Sequence, residues 1–171
     1  DGTNWQQIET ADSPSARTGH GMVYDSARGV VVVFGGWDGG ARLQDTWEYD
    51  GTNWQLVETL DAPSPRNEFG MAYDSDQELT LLFGGTVTKV ARDDTWKYDG
   101  TDWHEVPNLV ALDSPTRRRA HAMAYDSTRV KTVLFGGDDR GDETWELSYV
   151  GSTLPCGREC GDFNEDGCTN L

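Results

Sequence analysis

Apolar residues in this chain either alternate with polar ones or gather in runs of four or five, and neither pattern keeps the 3.6-residue spacing of an amphipathic helix. His20 to Tyr24 alternates, with Met22 and Tyr24 on one face, and Phe69 to Tyr73 and His121 to Tyr125 repeat the arrangement. Period two predicts a half-buried strand, closed each time by an Asp-Ser turn signal. Val30 to Phe34 is wholly apolar, with Leu79 to Phe83 and Val130 to Phe135 in the equivalent places, so it predicts a strand buried on both faces. Thr46 to Tyr49 is a third strand, and Asp50-Gly51 is a hairpin signal before a fourth, Asn53 to Val57.

These elements recur. Asp1-Gly-Thr-Asn-Trp5 returns at Asp50 and, with one change, at Asp99, a period of 49 residues. Phe34-Gly-Gly36 is matched by Phe83-Gly-Gly85 and Phe135-Gly-Gly137, and Asp45-Thr-Trp47 by Asp94-Thr-Trp96 and Glu143-Thr-Trp145. The third copy gains three residues before Pro115 and loses them after Gly137, which places both changes in loops. An Arg-containing loop, a strand ending in Gly-Gly, an aromatic strand and a later Trp together resemble the kelch repeat over residues 1–149.

That resemblance implies a β-propeller whose blades are four-stranded antiparallel sheets, usually six or seven around a channel. The expected fold is all-β, with three four-stranded blades, half of a six-bladed ring, in residues 1–149 and an irregular tail in 150–171. Three blades are too few to close, since propellers use about 4 to 8. Residues 1–8 read as a spare outer strand, while the last copy passes Leu147 without the Trp of a fourth strand. One reading pairs Thr3 to Ile8 of one molecule with Thr144 to Leu147 of another, so that a homodimer closes the ring. The alternative is a fragment of a larger secreted propeller protein or enzyme whose other blades lie elsewhere. Either removes the bare sheet edges and faces of a half-ring.

A net charge of -16 excludes the phosphate neutralisation that nucleic-acid binding requires. No apolar run approaches the ~18 residues of a membrane helix. No leader precedes Asp1, as expected of a mature form or an excised segment. Cys156, Cys160 and Cys168 all fall in the last sixteen residues, which marks a second unit and an oxidising, extracellular or cell-surface setting. Cys156 and Cys160 are candidates for a small disulfide loop. Beyond them, Asp162, Asn164, Asp166, Cys168 and Asn170 occupy positions 1, 3, 5, 7 and 9 of a calcium-loop pattern, with Gly167 at the turn. The chain ends before position 12, so the loop is incomplete and calcium is expected to bind weakly. The spacing resembles the first loop of a dockerin module.

Candidate contacts with a protein or carbohydrate ligand lie in the loops. Arg17, Arg66 and Arg118 each follow a proline by three residues and so share one rim. In kelch binding domains this loop contributes to the partner surface, and a ring of guanidinium groups could grip carboxylates in bidentate fashion. The competing expectation pairs each arginine with an acidic residue of an adjacent blade, such as Asp45, Asp94 or Glu143. Residues that differ between copies are better recognition candidates: Thr18, Asn67 and Arg119 after the repeated arginine, and Trp37, Asp38, Val87, Lys89 and Arg140 after the glycine pair. Catalysis finds no support in any Ser-His-Asp order, H-E-x-x-H pair or phosphate loop. His20 and His121 share a position with Phe69, which reads as an aromatic packing slot.

Overall fold

The computed structural model describes residues 2, 4–107, 114–138 and 141–148. All regular structure among them is β. The first sheet runs β1 (Gly21–Asp25), β2 (Val30–Trp37), β3 (Arg42–Tyr49) and β4 (Trp54–Val57), in that order and antiparallel throughout. The second sheet holds β5 (Gly70–Asp74), β6 (Leu79–Phe83), β9 (Thr95–Tyr98) and β10 (Trp103–Val106), and the third holds β11 (Ala122–Asp126), β12 (Lys131–Phe135) and β13 (Thr144–Leu147). A small hairpin, β7 (Thr86–Val87) with β8 (Val90–Ala91), rises from the second sheet's variable loop and makes a fourth sheet.

The recurring Asp-Gly-Thr segment is a self-sufficient turn. Asp50 Oδ1 accepts hydrogen bonds from the Thr52 and Asn53 amides at 2.8 and 2.9 Å and from Thr52 Oγ1 at 2.6 Å. Gly51 supplies the positive φ of +96° that such a turn needs. Asp99, Thr101 and Asp102 repeat the bonds in the next copy.

Neighbouring sheets stack face to face, and their seams are stitched by backbone. Across the first seam, Arg66 N donates to Leu43 O at 3.1 Å, Gly36 N to Arg66 O at 2.9 Å and Glu68 N to Gly19 O at 2.8 Å. The second seam repeats the set with Arg118 N to Arg92 O, Gly85 N to Arg118 O and Ala120 N to Glu68 O. This is why the glycine pair recurs: a Cβ on Gly84 would lie 2.7 Å from Arg118 O, at a φ of +65°. Gly84→Ala is accordingly expected to cost about 2–4 kcal/mol, from overpacking and a left-handed backbone combined, and denaturant unfolding measures it.

The core lies between the first two sheets, where Val32, Phe34, Phe69, Met71, Leu82, Trp96, Tyr98 and Trp103 form one buried cluster. Trp103 is wholly buried, 4.8 Å from the Phe34 ring and 5.1 Å from Tyr98, and its Nε1 donates to Thr46 Oγ1 at 2.9 Å. Arg28 ties the edge of the seam, reaching Asp25 and Glu48 at 2.7 Å each, and Tyr98 donates to Glu48 at 2.8 Å.

Four expectations are corrected. β2 does not stop at Phe34; it continues to Trp37 through a bulge at Phe34/Gly36, because β3 begins at Arg42 and offers partners to Gly36 and Trp37. The third sheet has three strands among the described residues, not four. Among the described residues the sheets are open and close no ring, and closure by homodimerisation is overturned. Of Thr3 to Ile8, expected to act as the exchanged outer strand, the described residues 4–8 form no strand, and Trp5 is fully exposed. Their counterparts in β4 and β10 are strands because a third strand of their own sheet lies alongside.

Candidate interaction rim

The three repeated arginines are built into the sheets. Arg17, Arg66 and Arg118 have side chains only 5%, 1% and 0% exposed. Each donates Nε to a carbonyl two residues back (Ser15, Ser64, Thr116) and Nη1 to the carbonyl of the first glycine of the pair (Gly35, Gly84, Gly136). The remaining donors meet a carboxylate. Arg17 holds Asp45 through two bonds of 2.7 and 2.8 Å, Arg66 holds Asp94 through 2.8 and 2.7 Å, and Arg118 reaches Glu143 at 2.5 Å.

The indole two residues on shares the same carboxylate: Trp47 donates to Asp45, Trp96 to Asp94 and Trp145 to Glu143. Residues i and i+2 of a strand face the same side, so the Asp-Thr-Trp spacing is what lets one carboxylate serve both groups. Burial pushes the Asp94 carboxyl up, but the hydrogen bonds and charge of Arg66 outweigh it and hold the pKa below the usual carboxylate range. Of the two expectations for these arginines, intramolecular pairing is the one the geometry displays, with the carboxylate drawn from the arginine's own copy and not from an adjacent one.

The copy-specific residues lie on the same edge, outside these pairs. Thr18 and Trp37 exchange backbone hydrogen bonds, both at 2.9 Å, and Asn67 does the same with Thr86. Asp138 N donates to Arg119 O at 3.0 Å. The loop after each arginine is therefore joined to the loop after each glycine pair. Side chains extend the line: the Arg42 guanidinium lies over the Trp37 ring at 5.5 Å and donates to Asn67 Oδ1 at 2.8 Å, while Arg119 pairs with Glu68 at 3.2 Å and Asp138 at 2.5 Å. Trp37 is half-buried, not freely exposed, because Arg42 covers one face.

Asp38 turns inward to cap Gly40 and Ala41 at 2.8 and 2.7 Å. Val87 and Lys89 sit on the β7–β8 hairpin, whose two turn residues, Thr88 and Lys89, both take positive φ, 48° and 74°. That backbone is unusual without glycine or asparagine and marks a locally strained loop at the rim. Arg140, the Cys156–Cys160 pair and the calcium-loop residues Asp162, Asn164, Asp166, Cys168 and Asn170 lie outside the described residues.

A family model described as the KLHDC2/KLHL20/DRC7 Kelch-repeats domain matches residues 1–153. The chain belongs to the kelch-repeat family. A search of curated proteins returned no match. Kelch-repeat domains are known scaffolding and protein-interaction modules. Among the described residues no group of three or more His, Cys, Asp or Glu is placed to hold a metal, and no helix is long and apolar enough to cross a membrane.

The kelch arrangement also explains the shared His/Phe position. Phe69 meets Phe34 edge-on at 5.7 Å across the first seam, and His121 meets Phe83 in the same way at 5.7 Å across the second. Both nitrogens of His121 are buried without a hydrogen-bond partner. Burial, reinforced by the Arg118 cation, pushes its pKa down to about 4. At pH 7 the ring is neutral whether the chain is folded or not. Below about pH 6.5 the unfolded chain gains a proton that the folded one refuses, so stability falls as pH drops toward 4. His121→Phe is thus expected to match the wild type at pH 7 and exceed it by roughly 2–3 kcal/mol near pH 4. Urea midpoints across that range supply the check, and parallel pH curves for the two proteins would rule the explanation out.

Proposed function

We propose that the chain is a run of consecutive kelch sheets from a longer, extracellular propeller protein, and that it binds a partner protein through the rim that joins Thr18, Trp37, Asn67 and Arg119. The observation that carries the rim is the division of labour along one edge. The arginines present in every copy are used up inside their own sheets, and the residues that vary between copies form a continuous line of exposed or half-exposed polar and aromatic groups. Recognition surfaces favour such Trp and Arg anchors. Repeated packing residues serve the repeat itself.

The longer propeller is supported by what the outer faces lack. Met71 is 8% exposed at the first seam, but its counterpart Met22 on the outer face of the first sheet is 61% exposed. Phe34 and Phe83 are 0% and 5% exposed, whereas Phe135, which occupies their place in the third sheet, is 52% exposed. Further sheets on either side would cover both. The extracellular setting rests on cysteines confined to the tail.

Screening the full-length protein against displayed peptide and glycan arrays tests the rim. Peptide binders should lose at least about tenfold in affinity on Trp37→Ala or Arg119→Glu, a hot-spot loss of about 1.4 kcal/mol or more, and keep it on Asp50→Ala at the outer turn. Binders insensitive to both rim variants, or glycan hits without peptide hits, would refute the assignment.

A further inference from the structure

The two seams share a socket but not its occupant. An aromatic ring of each following sheet presses against a glycine of the sheet before it: a Cβ on Gly21 would lie 2.6 Å from the Phe69 ring, and one on Gly70 would lie 2.7 Å from His121 Nε2. A hydrocarbon ring suits that socket. The imidazole puts two polar nitrogens into it, and neither finds a hydrogen-bond partner. Gly70, Phe83 and Gly84 face the ring from the second sheet, and Gly137 backs it in its own. Among the described residues Arg118 is therefore the charged group that bears on it, opposing its protonation, while the Phe83 backbone pulls less strongly the other way. The ties around the socket differ as well. Across the first seam Arg42 donates to Asn67 Oδ1 and Trp103 to Thr46 Oγ1, bonds between groups that do not titrate near neutral pH. Side-chain ties across the second seam end on carboxylates: Arg119 reaches Glu68 at 3.2 Å, and Tyr125 donates to Asp76. Arg28 and Glu48, which join the first sheet to Gly100 and Tyr98 of the second, have Gln77 and Lys97 in their places one copy on.

We propose that the second seam is an acid-sensitive latch: as the pH falls below neutral, the third sheet parts from the second as one piece while the first seam stays closed. Opening exchanges a dry site without partners for water, where the imidazole takes up a proton that closing must expel. The third sheet can leave whole, because β11, β12 and β13 are hydrogen-bonded to one another and Arg118 is held by Gly136 and Glu143 of its own copy. Parting also separates Arg119 from Glu68, so the rim is broken at that point. In the closed seam the His121 pKa is held down to about 4, and in the open one it moves back toward its ordinary value of 6.5. The opening equilibrium then rises about tenfold between pH 7 and pH 5, somewhat short of the full linkage because Arg118 travels with the ring. The latch rests on the seam alone and does not depend on what the rim binds.

Amide hydrogen exchange of the chain at pH 7 and pH 5, each corrected for the intrinsic rate at that pH, reads the two seams separately. At pH 7 the cross-seam amides of Gly36, Arg66 and Glu68 should be protected about as well as those of Gly85, Arg118 and Ala120. At pH 5 the second set should lose about tenfold in protection and the first less than about threefold. His121→Phe gives the second socket the kind of ring that the first already holds, and should bring its loss down to that of the first seam. Phe69→His should carry the larger loss to Gly36, Arg66 and Glu68. Equal losses at both seams, or none at either, would overturn the latch, because acid would then not act on one seam in particular. An unchanged loss in His121→Phe would overturn it by removing the histidine as the trigger.

Discussion

Trp103→Ala is expected to cost about 3–5 kcal/mol, the range for deleting a fully buried large aromatic. The indole is the centre of the first seam: it touches Phe34 of one sheet and Tyr98 of the other, and its N–H satisfies Thr46. Truncation would empty a cavity bounded by both sheets and leave the Thr46 hydroxyl buried. Trp5→Ala removes the same residue type from the same motif, yet Trp5 is fully exposed, so the change should stay within about 0.5 kcal/mol. Urea unfolding of the two variants side by side separates motif from environment. Equal losses would mean that residues 4–8 are packed, contrary to the structure.

The second large effect concerns Arg66. Its side chain is 1% exposed and is held by Asp94, by the Gly84 and Ser64 carbonyls and by the Ser64 hydroxyl. Arg66→Met should destabilise the domain by about 3–5 kcal/mol, because Asp94 then keeps its charge in a largely buried site without a cation. Arg66→Lys should recover little of this, since a single ammonium cannot span the carboxylate and two carbonyls that the planar fork reaches. Adding Asp94→Asn to Arg66→Met should restore part of the loss, as the amide oxygen can still accept from Trp96. A double variant no better than the single one would show that the arginine acts through shape and not through charge.

Strand content, the antiparallel hairpins and the family were legible from the 49-residue recurrence, because each copy carries its own turn chemistry and its own period-two pattern. The acid partners of the arginines were legible by residue number but not by location. Arg17–Asp45 and Arg66–Asp94 are separated by 28 residues within one copy, and only the fold reveals that a loop before β1 returns to the start of the third strand. The extension of β2 to Trp37 was hidden by Gly35 and Gly36, which read as a strand end but here form a bulge that lets the neighbouring backbone approach. The β7–β8 hairpin carries no glycine or asparagine at its turn, so no turn signal announced it. Residues 4–8 misled because a motif that makes a strand in two copies does so only beside a partner strand.

The rim was legible as two separate sets of variable residues. What the sequence could not convey was that Thr18 and Trp37, or Asn67 and Thr86, are hydrogen-bonded to each other. Arg42, which bridges Trp37 and Asn67, was missed altogether. Its signal was its place in the variable loop of the first copy, five residues after Trp37.

The central claim is that the three repeats stack as one body through the backbone bonds at their seams. Native-state amide hydrogen exchange tests it most directly, at Gly36, Arg66 and Glu68 across the first seam and Gly85, Arg118 and Ala120 across the second. These six amides should be protected nearly as well as those of Val32 and Leu81 in the strand interiors. Rapid exchange at all six, with the strands still protected, would describe three sheets joined like beads and would contradict the account.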